Sequence, residues 1–118
     1  MKKLSIGIPT YNRMNSLKRT LAVIQKEIEG IEDEVEICVS DNCSQDETVH
    51  ILHTFEDRLP LVWSSNKENL GFDKNIFRII EMASGEYVWY LGDDDAIISG
   101  SLKRVLLDLK KYGNSRGG

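Results

Sequence analysis

Tyr87-Val88-Trp89-Tyr90-Leu91-Gly92-Asp93-Asp94-Asp95 decides how the rest of the chain is read. Five aromatic, β-branched or aliphatic residues are followed, one glycine later, by three aspartates. The pattern is that of a buried strand whose carboxyl end opens into clustered negative charge. Adjacent carboxylates repel, so gathering them at the lip of a sheet adds nothing to stability. A divalent cation removes the repulsion. Mg²⁺ or Mn²⁺ takes oxygen ligands, is held by one or two carboxylates and fills its shell with substrate phosphates. The plainer alternative is a solvated acidic turn.

Outward from this stretch, strands alternate with amphipathic helices. Leu4 to Ile8 is a short apolar run ended by Pro9. Leu17, Leu21, Ile24 and Ile28 then recur on one helix face, with Asn15 or Ser16 as N-cap and Gly30 as the stop. Val35 to Ser40 is the second strand. Ser44 or Asp46 is the expected cap of a helix carrying Ile51, Leu52 and Phe55, and Ser44 with Glu47 has capping-box spacing. Leu61 to Ser64 is the third strand, and Ser65 to Phe72 a loop. Asp73 is the expected cap of a helix that turns Ile76, Ile79, Ile80 and Ala83 inward. The fourth strand runs from Glu86 to Leu91, and the last helix from about Ser101 to Tyr112. Trp63, Trp89, Tyr87 and Tyr90 read as core. Residues 1–113 are expected to form one domain and 114–118 a disordered tail.

Such alternation implies βαβ units around a mostly parallel sheet with right-handed crossovers. The expected class is α/β, Rossmann-like, with strand order 3-2-1-4 flanked by helices. Ligands in open sheets bind beyond the carboxyl ends of the strands, where the order reverses. Here that crevice lies between strands one and four. It gathers Pro9-Thr10-Tyr11-Asn12-Arg13 and Gly92-Asp93-Asp94-Asp95, with Asp41-Asn42 next door.

Residue types at these loops suit a nucleotide. Tyr11 can stack on a base, and Thr10 and Asn12 can hydrogen-bond one. Arg13 can meet a phosphate or pair with a nearby carboxylate. Asp41 can accept from a base N–H or ribose hydroxyl, or close an Asx-turn on its own backbone. The stretch Asn66 to Asn75 enters a helix whose N-terminus can face phosphates, although a helix cap with solvated lysines explains the same residues. His50 and His53 share a helix face without further ligands, and no G-x-G-x-x-G or P-loop occurs.

Composition bounds the class. The 118 residues, 41% hydrophobic and 29% charged, suit one soluble globular domain. A net charge of −4 argues against nucleic acid as partner. No apolar run approaches the roughly 20 residues that span a bilayer. Cys38 and Cys43 are expected as free thiols in a reduced, cytoplasmic protein.

Taken together, four segments resemble the N-terminal half of family 2 glycosyltransferases with the GT-A fold. They are Ser5 to Arg13, Val39 to Thr48, Asn69-Leu70-Gly71 and Ala83 to Asp95, and they look most like bacterial enzymes of surface-polysaccharide biosynthesis. The resemblance implies a truncated GT-A fold in which Pro9, Thr10, Tyr11 and Arg13 line the nucleotide pocket. Tyr11 would lie against the base, Asp41 would hydrogen-bond it, and Gly71 would let the chain pass close to it. The acidic run corresponds to the family's DxD signature. Gly92 stands where many members carry an acid, which assigns Asp94 as metal ligand and Asp93 to the ribose or the metal, with Asp95 read as closing the following turn. The implied reaction is metal-dependent transfer of a sugar, with inversion, from a nucleoside-diphosphate sugar to an acceptor hydroxyl of a glycan or lipid-linked sugar. The family's general base lies beyond residue 118, so the chain is expected to be the donor-binding half and inactive alone. Membrane proximity and self-association are further expectations. The alternatives are a non-catalytic module that binds nucleotide sugars or a partner, and a phosphoacceptor receiver. The latter is disfavoured because Pro9-Thr10-Tyr11 stands where receivers carry acids.

Overall fold

The computed structural model describes residues 2–95 and 97–116. Four strands alternate with four helices: β1 (Leu4–Thr10), α1 (Met14–Glu27), β2 (Val35–Asp41), α2 (Thr48–Phe55), β3 (Leu61–Ser65), α3 (Phe72–Met82), β4 (Tyr87–Tyr90) and α4 (Ser101–Arg116). The sheet is parallel, in the expected order β3-β2-β1-β4.

The two faces of the sheet are built differently because side chains alternate along each strand. Leu4, Ile6 and Ile8 of β1 and Val35, Ile37 and Val39 of β2 join Leu17, Leu21 and Ile24 of α1, Leu52 of α2 and Leu102 and Leu106 of α4 in the core. The opposite face carries Ser5 and Gly7 of β1 and Glu36, Cys38 and Ser40 of β2. It is covered by α3, whose buried residues are Asn75 and Ile79. A Cβ added at Gly7 would lie 2.5 Å from Ile79 Cγ2, so glycine lets the helix approach the strand.

Several local expectations are corrected. Pro9 and Thr10 remain in β1, because proline at a strand end removes only a donor. The position flanking α1 is Arg13 rather than Asn15 or Ser16, and no side chain of its own caps it. The positions flanking α2 and α3 are Glu47 and Gly71, and neither Ser44 nor Asp73 caps its helix. Ile80 of α3 and Tyr90 of β4 are exposed, with Phe72, Phe77, Val62 and Val88, because only α3 covers their face. The last helix continues past Tyr112 to Arg116, so residues 114–116 are helical rather than tail. Gly113 costs about 1 kcal/mol in a helix, but no proline follows to break it. Residues 117 and 118 lie outside the described residues.

Register delivers the site. Thr10 pairs with Asp41, and Asp41 with Ser65, so three strands end level at their carboxyl edge. On the other side of β1, Gly7 pairs with Tyr90, and the acidic turn emerges beside Thr10.

Candidate functional site

The bend after β1 is locked to the loop after β2. Asn12 takes a left-handed conformation with φ 52°, a region that asparagine tolerates better than most residues. Its N–H donates to Ser44 Oγ at 2.8 Å, and its Oδ1 accepts from Gln45 N–H at 2.7 Å. Asp46 takes up two helix starts at once. Its Oδ2 accepts from Met14 N–H at 3.2 Å and its Oδ1 from Thr48 N–H at 3.0 Å, with a further bond from the Thr48 hydroxyl. Burial pushes the Asp46 carboxyl up, but the bonds from Thr48 and Met14 outweigh it and hold the group below its usual range. One orphan N–H of α1, that of Met14, is thus satisfied from another loop, and Tyr11 is held at the pocket mouth, 43% exposed.

The acidic turn is tied to the same bend. Thr10 Oγ1 donates to Asp93 Oδ2 at 2.8 Å, and Thr20 Oγ1 of α1 donates to the Asp93 carbonyl at 2.9 Å. Arg13 bridges the acids, with Nη1 3.1 Å from Asp94 Oδ2 and Nε 3.8 Å from Asp93 Oδ1. Asp93 is buried and Asp94 exposed. Burial pushes the Asp93 carboxyl above its usual value, and the Asp94 charge adds to this. The Thr10 bond and the Arg13 charge pull it only partly back. Asp95 is turned away, its Oδ2 accepting from Gly92 N–H at 2.7 Å. A Cβ at residue 92 would lie 2.9 Å from that oxygen, which is a steric reason for glycine here.

These residues suit a divalent cation. Two carboxylates of unequal burial face one place, and a guanidinium already bridges them as a cation would. Among the described residues no cluster of three or more His, Cys, Asp or Glu could hold a metal by itself. Asp93 and Asp94 would therefore supply one or two oxygens and leave the other positions to a diphosphate, as Mg²⁺ and Mn²⁺ sites commonly do.

Beside the acids lies a pocket of about 530 Å³ lined by Pro9, Thr10, Tyr11, Arg13, Asn42, Asn69, Gly71, Phe72, Asn75 and Asp93. Of the residues singled out from sequence, Pro9, Thr10, Tyr11, Arg13, Gly71 and Asp93 meet there. Asp94 stands in an adjoining cleft of about 290 Å³ with Phe72, Ile76 and Tyr90. Asp41 lies beneath the pocket and is fully buried. Its carboxylate accepts from Ser44 N–H at 3.3 Å, from the Ser44 hydroxyl and from Ser65 Oγ at 2.8 Å, so it closes the following turn three residues on rather than as the Asx-turn the sequence allowed. The pocket wall above it is Asn42.

Sequence reading did not single out Thr20, Asn66 or Asn75 as contributors. A signal was present for two of them. Thr20 falls on the stripe of Leu17, Leu21 and Ile24, and Asn75 lies four residues before the buried Ile79. A polar residue on a buried helix face has to find a partner.

Comparison with known proteins follows this geometry. The profile of the family described as Glycosyl transferase family 2 matches residues 5–115. The abequosyltransferase RfbV of Salmonella typhimurium is 37% identical over 101 residues, covering 84% of this chain and 30% of that protein. The crystal structure of Staphylococcus aureus TarS 1–349 in complex with UDP-GlcNAc superposes with a TM-score of 0.85 at 29% identity, covering 92% of this chain and 31% of that one. A mannosyltransferase of Pyrobaculum calidifontis, in complex with GDP-Man and Mn²⁺, shares the fold with a TM-score of 0.77 at 22% identity, over 84% of this chain and 29% of that one. The chain therefore spans about a third or less of the length of the proteins it matches, and its parallel sheet with flanking helices is part of a GT-A fold.

Proposed function

The chain belongs to glycosyl transferase family 2, and we propose from that membership that it is the donor-binding part of an inverting, metal-dependent glycosyltransferase. The donor is a nucleoside-diphosphate sugar. The observation that carries this reading is the junction of the pocket with the acid pair through Thr10, Asp93, Arg13 and Asp94. A base fits the pocket against Tyr11, with Pro9 beneath it and Gly71 allowing close approach. A diphosphate leads from there to Asp93 and Asp94.

When bound at Asp93 and Asp94, a divalent cation supplies Lewis-acid stabilisation of the leaving diphosphate. The residues of this chain do the rest of the donor-side work. Thr10 and Thr20 fix Asp93, and the buried turn excludes water from one side of it. Arg13, beside Asp93 and Asp94 at the pocket, would offer a phosphate a planar donor fork. Asp41, expected from the resemblance to hydrogen-bond the base, instead holds the loop after β2 in shape from beneath the pocket.

The acceptor is a hydroxyl of a glycan or lipid-linked sugar. Asp93 and Asp94 are the acids that line the pocket and its adjoining cleft among the described residues. The family resemblance puts the base that deprotonates the acceptor beyond residue 118, and on that reading these residues are expected to bind donor without turnover. The donor-binding domain, expected over residues 1–113, is assigned to run on through α4 to Arg116. Two free thiols support a cytoplasmic location, and no helix among the described residues is long and apolar enough to cross a membrane. A lipid-linked acceptor would bring the protein to the membrane surface.

Thermal-shift screening of UDP-, CDP-, GDP- and dTDP-sugars, with and without Mn²⁺, tests the reading. A stabilisation by one nucleotide class that requires Mn²⁺ is expected. No shift with any donor in the presence of Mn²⁺ contradicts it.

A further inference from the structure

We infer that Asn66 and Asn75 are positioning residues that hold the pocket wall Asn69-Leu70-Gly71 in its binding shape before any ligand arrives. Neither side chain needs to touch the ligand to do so.

The connectivity is a chain of amides. Asn75, 3% exposed on α3, donates from Nδ2 to the Ser40 carbonyl at 3.0 Å. Its Oδ1 accepts from Ser40 Oγ at 2.6 Å and from Asn66 Nδ2 at 3.0 Å. Asn66, 7% exposed, also donates from Nδ2 to Asn42 Oδ1 at 3.0 Å. That same Asn42 oxygen accepts from Leu70 N–H at 2.9 Å. Asn42 Nδ2 donates to Asn69 Oδ1 at 2.8 Å, and Asn69 Oδ1 also accepts from Gly71 N–H at 2.8 Å. The wall thus hangs from both ends of the Asn42 amide, and Asn66, held in turn by Asn75, orients that amide.

Such a network is buried on one side only. Asn66 and Asn75 sit inside, while Asn69 and Gly71 are exposed at the pocket. Between Ser65 and Phe72 the backbone is tied to other backbone only at its ends, by Asn66 N–H to the Asp41 carbonyl at 2.8 Å and by Asn75 N–H to the Gly71 carbonyl at 3.1 Å, and Gly71 stands at φ 87°. Without the amides, this segment has the freedom of an ordinary surface loop. A loop ordered in advance lowers the ordering cost of binding, so the network acts on affinity through the loop.

The consequence for affinity rests on the donor-site reading, whereas the network itself is read in the ligand-free chain. Amide exchange of the unmutated 118-residue chain is expected to show Leu70 and Gly71 protected. Exchange at the rate of an open loop overturns the network. In Asn75→Ala and, separately, Asn66→Ala, these two amides are expected to exchange faster by about tenfold, the loss of one net hydrogen bond. Amides of Ile6 and Ile37 are expected to hold. Ser84→Ala, at the opposite end of the sheet, is expected to leave Leu70 unchanged. Equal acceleration of Leu70, Ile6 and Ile37 in the asparagine variants means global loosening and overturns the inference. Calorimetry with UDP and Mn²⁺ is expected to show about tenfold weaker binding in both variants. Faster exchange with unchanged affinity overturns the positioning role. No binding of UDP, CDP, GDP or dTDP by the unmutated chain with Mn²⁺ overturns the donor-site reading and the role in affinity with it, while the exchange pattern still decides whether the network holds the wall.

Discussion

Thr10 Oγ1 donates to Asp93 Oδ2 at 2.8 Å, which joins the end of β1 to the acidic turn across 83 residues of sequence. This bond makes the bend after β1 and the acid cluster one site. It also explains how a buried carboxylate next to a second one is tolerated. The hydroxyl and the Arg13 guanidinium offset part of the desolvation that burial imposes.

Thr10→Val keeps the side-chain shape and removes the donor. A destabilisation of about 1–3 kcal/mol is expected, the cost of leaving a buried acceptor short of a partner. Urea denaturation measures it. Because a cation would partly replace the lost bond, the loss is expected to shrink when Mn²⁺ is added.

Thr20→Val removes the bond from α1 to the Asp93 carbonyl. The expected cost is about 1 kcal/mol, a single net hydrogen bond. The sharper readout is Mn²⁺-dependent UDP binding, expected to weaken while the pocket's base end is unaltered. Unchanged binding would leave Thr20 as a core residue only.

Gly7→Ala puts a methyl 2.5 Å from Ile79 Cγ2, inside van der Waals contact. Overpacking of this kind costs about 1–3 kcal/mol. A lower urea midpoint is expected, and the double variant Gly7→Ala with Ile79→Ala should lose less than the two singles summed.

Glu36 governs the acid limb of stability. It is 5% exposed, and its Oε2 accepts from Ser5 Oγ at 2.6 Å and from the N–H and Oγ of Ser84. Burial pushes the carboxyl up, but the bonds from Ser5, Ser84 and Cys38 outweigh it and leave it below the usual 4.5. The ionised group therefore stabilises the fold above its ordinary value, and that stability is lost as pH falls through the lowered one. Asp46 acts in the same direction. Glu36→Gln is expected to be less stable at neutral pH and to lose less on acidification, as followed by urea midpoints between neutral and acid pH. The neighbouring Cys38 thiol is pushed up to about 12 by burial and by the Glu36 charge, so slow reaction with thiol reagents in the folded chain is expected.

Phe72, Phe77, Ile80, Val62, Val88 and Tyr90 remain exposed on or beside the α3 face. Large apolar side chains left exposed in this number favour association. Sedimentation velocity of the 118-residue chain is expected to show mass rising with concentration. A concentration-independent monomer contradicts it.

The order of the sheet and the meeting of the two loops were legible in the sequence, because alternating apolar runs and handed crossovers leave few topologies. The six residues Pro9, Thr10, Tyr11, Arg13, Gly71 and Asp93 were legible because each sits at a strand end or a loop marked by a motif. The helix starts were legible only in part: Asp46, one of the two caps expected for α2, accepts from Thr48 N–H at 3.0 Å. Ser44 has the right spacing for its own helix, yet its hydroxyl is taken by Asp41 and Asn12, a contact set by tertiary structure. The amides of Asn66 and Asn75 were hidden for the same reason, since their partners are on β2 and its following loop. Tyr90 read as core because strand patterns do not show which face a neighbouring element leaves uncovered.

Calorimetric titration of UDP into the chain with and without Mn²⁺, repeated on Asp94→Asn, tests most directly whether the acid pair and the Tyr11 bend form one cation-bridged diphosphate site. Tight binding that requires Mn²⁺ in the unmutated chain, and loses that requirement with most of its affinity in Asp94→Asn, is expected. Equal Mn²⁺-dependent affinity in both proteins would contradict it.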